Sequence, residues 1–273
     1  MSAVNQQVEA SAADDLVRWE AVRAARRRQG VFGFQILVGV TFLLFWEWVA
    51  GPWVDPFFIS EPSAIWARLL QLAGSGALLN HLSITLYATV VGFLIGSSVG
   101  FSTGFLFGRF QLVADVFDPY ITAIYSLPKI AVAPLFIMWF GIGIESKIAM
   151  AAVIVFFLVF LNTYSGVRDV NKIYVDTFKV VGATELQILR HVVWPSATTW
   201  VLTGLKVSVP YALIGTVVGE FMSSNRGMGY LIAESSALFD TAGVFAGLLV
   251  LGVVGAFINS MLKRVEKRLL RWK

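Results

Sequence analysis

Six stretches of this sequence are each long and apolar enough to cross a bilayer: near Val31 to Val49, Leu82 to Phe107, Val113 to Phe140, Ile148 to Gly166, Thr198 to Met222 and Gly243 to Leu262. A hydrocarbon core about 30 Å thick takes about 20 residues of helix. Inside it every backbone amide must be satisfied without water, which leaves helices as the economical way through. The chain therefore reads as an all-α polytopic membrane protein of about six spans. Composition agrees: over 273 residues, 57% are hydrophobic and 14% charged, where a soluble domain carries about 25% charged residues. The stretches from Leu82 and Val113 exceed the minimum, so tilting, kinking or breaking at Pro119, Pro128 and Pro134 is expected.

Charge sets the orientation. Arg18, Arg23 and Arg26 to Arg28 precede the first span, and Arg109 lies between the second and third. Arg168, Lys172, Lys179 and Arg190 lie between the fourth and fifth, and Lys263, Arg264, Lys267, Arg268, Arg271 and Lys273 follow the sixth. The remaining loops hold only Arg68, Lys147 and Arg226. Every second loop is basic, which places both termini in the cytoplasm. The net charge of +4 belongs to this asymmetry and not to nucleic acid. Residues 1–30 read as a polar cytoplasmic lead, an inner-face helix or a disordered tail, and residues 31–273 as the membrane domain. No small-residue cleavage site follows the first apolar run, so that run is expected to stay as an anchor.

The chain has no Cys and only two His, His81 and His191. That removes disulfides, thiolate metal sites and cysteine nucleophiles, and makes metal chemistry improbable. No clustered His, Cys or acid constellation suggests a membrane enzyme. Few acids fall inside the spans: Glu47, Asp115, Asp118 and Glu220 lie toward their ends, which weighs against an ion-coupled secondary transporter. No convincing repeat relates the two halves, which weighs the same way.

In the first outer loop, Ser60-Glu61-Pro62 is a helix start and Gly74 and Gly76 a stop, predicting either a short interfacial helix or a simple connector. The second span carries Gly92, Gly96, Gly100, Gly104 and Gly108, a small-residue ridge for packing within the chain or, less favoured, between subunits. Lys129 and Lys206 fall about halfway through their spans. Polar groups at that depth are functional candidates, and two cations suit an anionic passenger. Each could instead snorkel, or pair with Glu220 or Asp118. Pro128 and Pro134 free backbone carbonyls that can line a pathway. Ser126, Asn162 and Ser208 could bond a ligand or a neighbouring helix, and Glu220 with "SSNRGMGYL" suits a re-entrant turn or gate, where Arg226 could equally meet an external partner.

One stretch breaks the apolar pattern. "VGATELQILRHVVWPSATT", Val181 to Thr199, reads as a polar helix stopped by Trp194-Pro195, in which Gly182 admits a close backbone or a bend. Asp176 stands six residues before Gly182, and after nine intervening residues come Val192 and then Trp194-Pro195. This resembles the cytoplasmic signature of ABC-importer permeases: Glu-Ala-Ala, three residues, Gly, nine residues, Ile, any residue, Leu-Pro. The spacing fits while residue types are relaxed, with Asp176-Thr177-Phe178 for Glu-Ala-Ala, Val192 for Ile and Trp194 for Leu. "HLSITLYATVVGFLIGSSVG", "SLPKIAVAPLFIMWFGIG", "IGTVVGEFMSSNRGMGYLI" and "FDTAGVFAGLLVLGVVGAFINSMLKRVEKRLL" are similar to the nitrate, sulfonate and taurine branch of that family. Tyr87 departs from it, since relatives often place Arg there.

The resemblance implies a type I ABC-importer permease fold and a multi-pass subunit in a bacterial inner (plasma) membrane, lying among membrane lipid and without nucleic acid. Its implied partners are a second copy of itself, two cytoplasmic ABC ATPase subunits and a periplasmic or extracellular substrate-binding protein. It implies an ATPase-coupling region over residues 167–197, with Asp176, Thr177, Gly182, Ala183, Thr184, Glu185, Leu186, Val192 and Pro195 as its contact residues. Substrate-path candidates are Ser126, Pro128, Lys129, Pro134, Asn162, Lys206, Ser208 and Glu220. No GxxxxGK[ST] phosphate loop is present, so this chain is expected to bind no cofactor and hydrolyse no ATP. ATP and Mg belong on the partner ATPase. The implied passenger is a nitrate-, sulfonate- or taurine-like anion. The branch also contains importers of thiamine-precursor pyrimidines, riboflavin and aromatic carboxylates, so a neutral heterocycle stands as the alternative.

Overall fold

The computed structural model describes residues 30–269 together with Trp19, Arg23 and Arg27. The rest of the polar lead, and Arg271 and Lys273 of the basic C-terminal end, lie outside the described residues. Among those described, the only β-type pairing is an isolated bridge between Ala50 and Val54; everything else regular is helix. They fall into two packed units that meet in sequence at Ala64 and Ile65.

The first unit contains the span α1 (Gly30–Val49) and the short α2 (Pro56–Ile59), N-capped by Asp55, whose side chain accepts from Phe57 N. Apolar side chains such as Phe34, Leu37 and Phe45 stay exposed along α1, surface of the kind lipid covers. Its end is tied locally: the Trp46 indole donates to Ser60 O at 3.1 Å, and Glu47 accepts from Ser63 N and Oγ at 3.0 and 2.6 Å.

The helix α3 (Pro62–Gly74) follows, as the Ser-Glu-Pro start and glycine stop predict. The second unit is built around α7 (Ile144–Arg168), which packs on α4 (Ala77–Arg109) on one side and α10 (Trp194–Met222) on the other. Small residues make this possible. The α4 glycine ridge runs along the α7 backbone: a methyl group at Gly92 would lie 2.6 Å from Ala151 Cβ, one at Gly100 2.7 Å from Phe156 O, and one at Gly104 2.6 Å from Phe160 O. The ridge thus serves packing within the chain, bringing two backbones closer than any larger residue permits. On the other side Gly204 and Gly215 of α10 meet Asn162 and Ala151 of α7. Between these seams Val155, Val159 and Ala212 are fully buried.

The stretch expected to span from Val113 to Phe140 is broken. α5 (Gln111–Ser126) ends before Leu127-Pro128, a 3-10 turn covers Lys129–Val132, α6 (Ala133–Phe140) continues, and the two arms bend by 86°. Pro128 precedes the 3-10 turn and Pro134 sits in the first turn of α6, where a missing N–H costs nothing. Pro119, by contrast, is carried inside α5. With this pair counted as one span, the described residues hold six candidate spans, close to those read from sequence.

A second difference concerns Pro195, which does not stop a helix. α9 (Glu185–Ile188), a π turn over Leu189–Val193 and α10 run on as one helix, Glu185–Met222. A proline lacks its own N–H and its ring crowds the carbonyl four residues back. The π turn widens the ladder just ahead of it, with Trp194 N reaching back five residues to Leu189 O.

The outer end is closed by α11 (Met228–Ala237), which packs on α10 and on the last span, α12 (Thr241–Leu269). An Arg68–Asp240 ion pair at 2.8 Å fastens α3 to the turn before α12.

Candidate functional site

On the cytoplasmic side the chain leaves α7 and turns into α8 (Lys172–Val180), N-capped by Asn171, whose Oδ1 accepts from Ile173 N at 2.9 Å. α8 stops at a left-handed residue, Gly182, with φ +80°. Gly182 N returns to Lys179 O and Ala183 N to Phe178 O, closing the helix end in the manner glycine permits. Gly182 is therefore the turn between two helices and not part of one. Thr184 then opens α9 with a reciprocal capping box: its Oγ1 accepts from Gln187 N, and Gln187 Oε1 accepts from Thr184 N.

This hairpin is held by its own core. Ile188, Val192, Val193 and Ala197 bury against Val167 of α7, with Phe105, Val175, Phe178 and Ala183 packed around them. Arg109, at the end of α4, pairs with Glu185. The predicted coupling residues accordingly separate into two sets. Val192 is buried and Ala183 half-buried, anchoring the hairpin, whereas Asp176, Thr177, Gly182, Thr184, Glu185, Leu186 and Pro195 are exposed. At the tip Val180, Val181 and Leu186 are 87%, 74% and 72% exposed. A methyl group added at Gly182 would meet nothing within 4 Å. An exposed apolar cluster of this kind suits contact with another protein or with a membrane surface. Val180 and Val181 carry no signal in the sequence, since a valine pair in an apolar chain does not stand out until the turn exposes it.

The substrate-path candidates do not converge on one group. Ser126 donates to Thr122 O at 2.8 Å, Asn162 to Leu158 O at 2.8 Å and the buried Ser208 to Leu205 O at 2.9 Å, each within its own helix. The Lys129 ammonium bonds Tyr125 O and lies 3.9 Å from the Tyr125 ring centroid, so its partner is neither Glu220 nor Asp118. It stands at the bend of the broken span, between Pro128 and Pro134. Lys206 is half-buried on α10.

Glu220 is 2% exposed and heads a polar cluster at the outer end. It accepts from Thr85 Oγ1 at 2.8 Å and from Gly229 N at 2.8 Å. Thr85 Oγ1 in turn accepts from Met228 N at 2.8 Å, and His81 Nδ1 from Gly227 N at 3.0 Å. The first amides of α11, which have no partner inside their helix, are thus each taken by a side chain of α4 or α10. Gly227 and Gly229 leave room for this, since a methyl group on either would strike the Glu220 side chain. Beside the cluster Lys147 is 3% exposed. Its ammonium donates to Ile142 O at 2.6 Å, Gly143 O at 2.9 Å and Ser223 O, tying the loop before α7 to the end of α10. Sequence reading put Lys147 in a loop; nothing in its spacing announces three carbonyls that meet only in the fold. A cavity of about 430 Å³ opens here, lined by Ile84, Ile142, Lys147, Glu220, Asn225 and Arg226 among others.

Comparison with known proteins fits this architecture. The family model described as binding-protein-dependent transport system inner membrane component matches residues 92–271. The chain is 33% identical over 257 residues to an aliphatic sulfonates transport permease of Bacillus subtilis, covering 93% of each protein. It is also 33% identical over 231 residues to a formylaminopyrimidine transport permease of Halalkalibacterium halodurans, covering 85% of this chain and 92% of the relative. Among solved structures, an amino acid ABC transporter crystallised with histidines shares the fold at a TM-score of 0.61 and 16% identity, over 76% of this chain and 98% of the other. With its broken third span, its hairpin α8–α9 and its match over most of its length, the chain belongs to the family of ABC-transporter permeases that form the inner-membrane component of binding-protein-dependent transport systems.

Proposed function

We propose that this permease carries a small anion of the nitrate, sulfonate or taurine kind into the cell. It works as one of two copies, receives the anion from an external binding protein and is driven by two cytoplasmic ATPases. The observation that carries the mechanism is the unbroken helix from Glu185 to Met222. Its cytoplasmic end is the exposed tip bearing Leu186, and its other end is Glu220 in the outer cluster. An ATPase seated on Gly182, Thr184, Glu185 and Leu186, with Asp176 and Thr177 alongside, moves the hairpin as a body because Ile188 and Val192 fix it to α7. The motion enters the membrane along α10. Val192 acts from within as an anchor, and Pro195, accommodated by the π turn ahead of it, leaves the helix continuous.

The anion reading is supported by the likeness to the aliphatic sulfonates permease and by Arg226 at the outer cavity, where Glu220 is already engaged by Thr85 and Gly229. The formylaminopyrimidine relative, equally identical, favours a neutral heterocycle as the second reading. Deleting the gene and following growth on alkanesulfonates as sole sulfur source, against uptake of labelled pyrimidine, separates the two. For the mechanism, Leu186→Asp and Gly182→Trp should abolish ATP-dependent uptake while membrane insertion is unchanged. Full uptake in both variants refutes the coupling role.

A further inference from the structure

Behind the hairpin, on a surface distinct from its exposed tip, lies a cleft of about 260 Å³. Four cations line it: Arg109 and Arg168, the last residues of α4 and α7, and Lys172 and Lys179 of α8. The carboxylate among the lining residues is Glu185, and Arg109 occupies it. Arg168 donates to the Tyr164 hydroxyl at 2.6 Å, with Asp115 at 3.9 Å. Lys172 and Lys179, two helical turns apart on one face of α8, have no carboxylate within ion-pair distance among the described residues. The cleft therefore holds more positive charge than its own residues neutralise. Its floor is apolar, made by Val167, Val175, Ile188 and Val193 among others.

Position and size narrow the occupant. The cleft sits where two spanning helices end on the cytoplasmic side, and basic pockets beside the cytoplasmic ends of spans attract anionic lipid. Its volume falls below the range of about 300–1,000 Å³ usual for drug-sized ligands, which suits a phosphate with its glycerol and not a nucleotide. The apolar floor matches the glycerol and first acyl carbons of a lipid, and has no counterpart in free phosphate. The tip residues Val180, Val181, Gly182 and Leu186 do not line it, and of the residues proposed to meet the ATPase only Glu185, held by Arg109, does, so most of that surface stays free when it is filled.

We infer that the cleft bounded by Arg109, Arg168, Lys172 and Lys179 binds the phosphate headgroup of an anionic phospholipid of the inner leaflet, fastening the α8–α9 hairpin to the membrane surface. The inference rests on the hairpin facing the cytoplasm and is independent of the cargo. The test is native mass spectrometry of the purified full-length permease, exchanged into mixed micelles of phosphatidylglycerol and phosphatidylcholine. Wild type should retain phosphatidylglycerol in preference. Lys172→Gln/Lys179→Gln should reduce that retention roughly tenfold or more, the effect of two lysines near a lipid surface. Lys172→Arg/Lys179→Arg should restore it, which shows the loss is not unfolding. Lys263→Gln/Arg264→Gln, which removes two charges elsewhere on the same side and outside this cleft, should lower it clearly less. Equal retention of both lipids, insensitivity to the cleft variants, or an equal loss in the control pair overturns the proposal. So does stabilisation by inorganic phosphate alone without any lipid preference, which would assign the cleft to a soluble anion. Since neither ATPase nor substrate is present, failure here leaves the transport reading standing, and labelling of a cysteine at Val181 from outside the cell would remove the premise of both.

Discussion

Replacing Gly104 by alanine tests whether the seam between α4 and α7 sets the stability of the membrane domain. The added methyl would lie 2.6 Å from Phe160 O and 3.0 Å from Thr163 Cβ, where ordinary contact begins at 3.4 Å. The oxygen belongs to the backbone of α7, the central helix, so it cannot swing aside as a side chain does. One helix must shift by about 0.8 Å or bend, and overpacking of this kind costs about 1–3 kcal/mol. Alanine also favours a helix over glycine by about 1 kcal/mol, which would mask part of the loss. Gly252 supplies the correction: it lies inside α12 with nothing within 4 Å of a new methyl, so Gly252→Ala reports the propensity gain alone. The two variants should differ by about 1–3 kcal/mol, or about 2–12 °C in thermal midpoint at about 2–4 °C per kcal/mol, measured by unfolding of the detergent-solubilised protein. If Gly104→Ala and Gly252→Ala shift the midpoint upward together, the close seam is not what the structure says it is.

Three further outcomes follow from the site. Gly182→Ala meets no atom and suffers only its left-handed backbone, about 1–2 kcal/mol; Gly182→Asn, which tolerates that conformation, should recover most of the ATP-driven uptake that Gly182→Ala loses. Glu220→Ala leaves Gly229 N without its buried acceptor and Thr85 without one partner, about 1–3 kcal/mol for each unsatisfied group; a cysteine at Asn225 should then react faster with a thiol reagent, and an unchanged rate would show that Glu220 does not hold the outer turn. Pro195→Ala should leave the helix unbroken and uptake largely intact, since Pro195 interrupts nothing; hydrogen exchange across residues 189–198 reads this, and lasting protection only in the proline form would contradict it.

What the sequence disclosed and what it hid divide along a physical line. The spans were legible because hydrocarbon demands a length and a polarity, and these are local properties. The glycine ridge was legible for the same reason: its four-residue spacing is a surface on any helix. Spacing also marked the hairpin around Gly182, yet it misjudged Pro195, because a π turn that accommodates a proline has no residue pattern of its own. The break at Leu127-Pro128 was one of three proline positions, and only packing chose among them. Lys147 and Thr85 were hidden entirely. Each draws its meaning from atoms far along the chain: Ser223 O for the lysine, Met228 N and Glu220 for the threonine.

The continuity of the helix from Glu185 to Met222 has a consequence for how far a signal must be relayed. At 38 residues it is about 57 Å of contour at a helical rise of about 1.5 Å per residue, more than the thickness of the bilayer core. Cytoplasm and exterior are joined by covalent backbone, with no chain of switching side chains between them. On the proposed coupling, whatever tilts its foot would displace the anchor of the outer turn in the same stroke, so opening on one face and closing on the other would be one event and not two that must be synchronised.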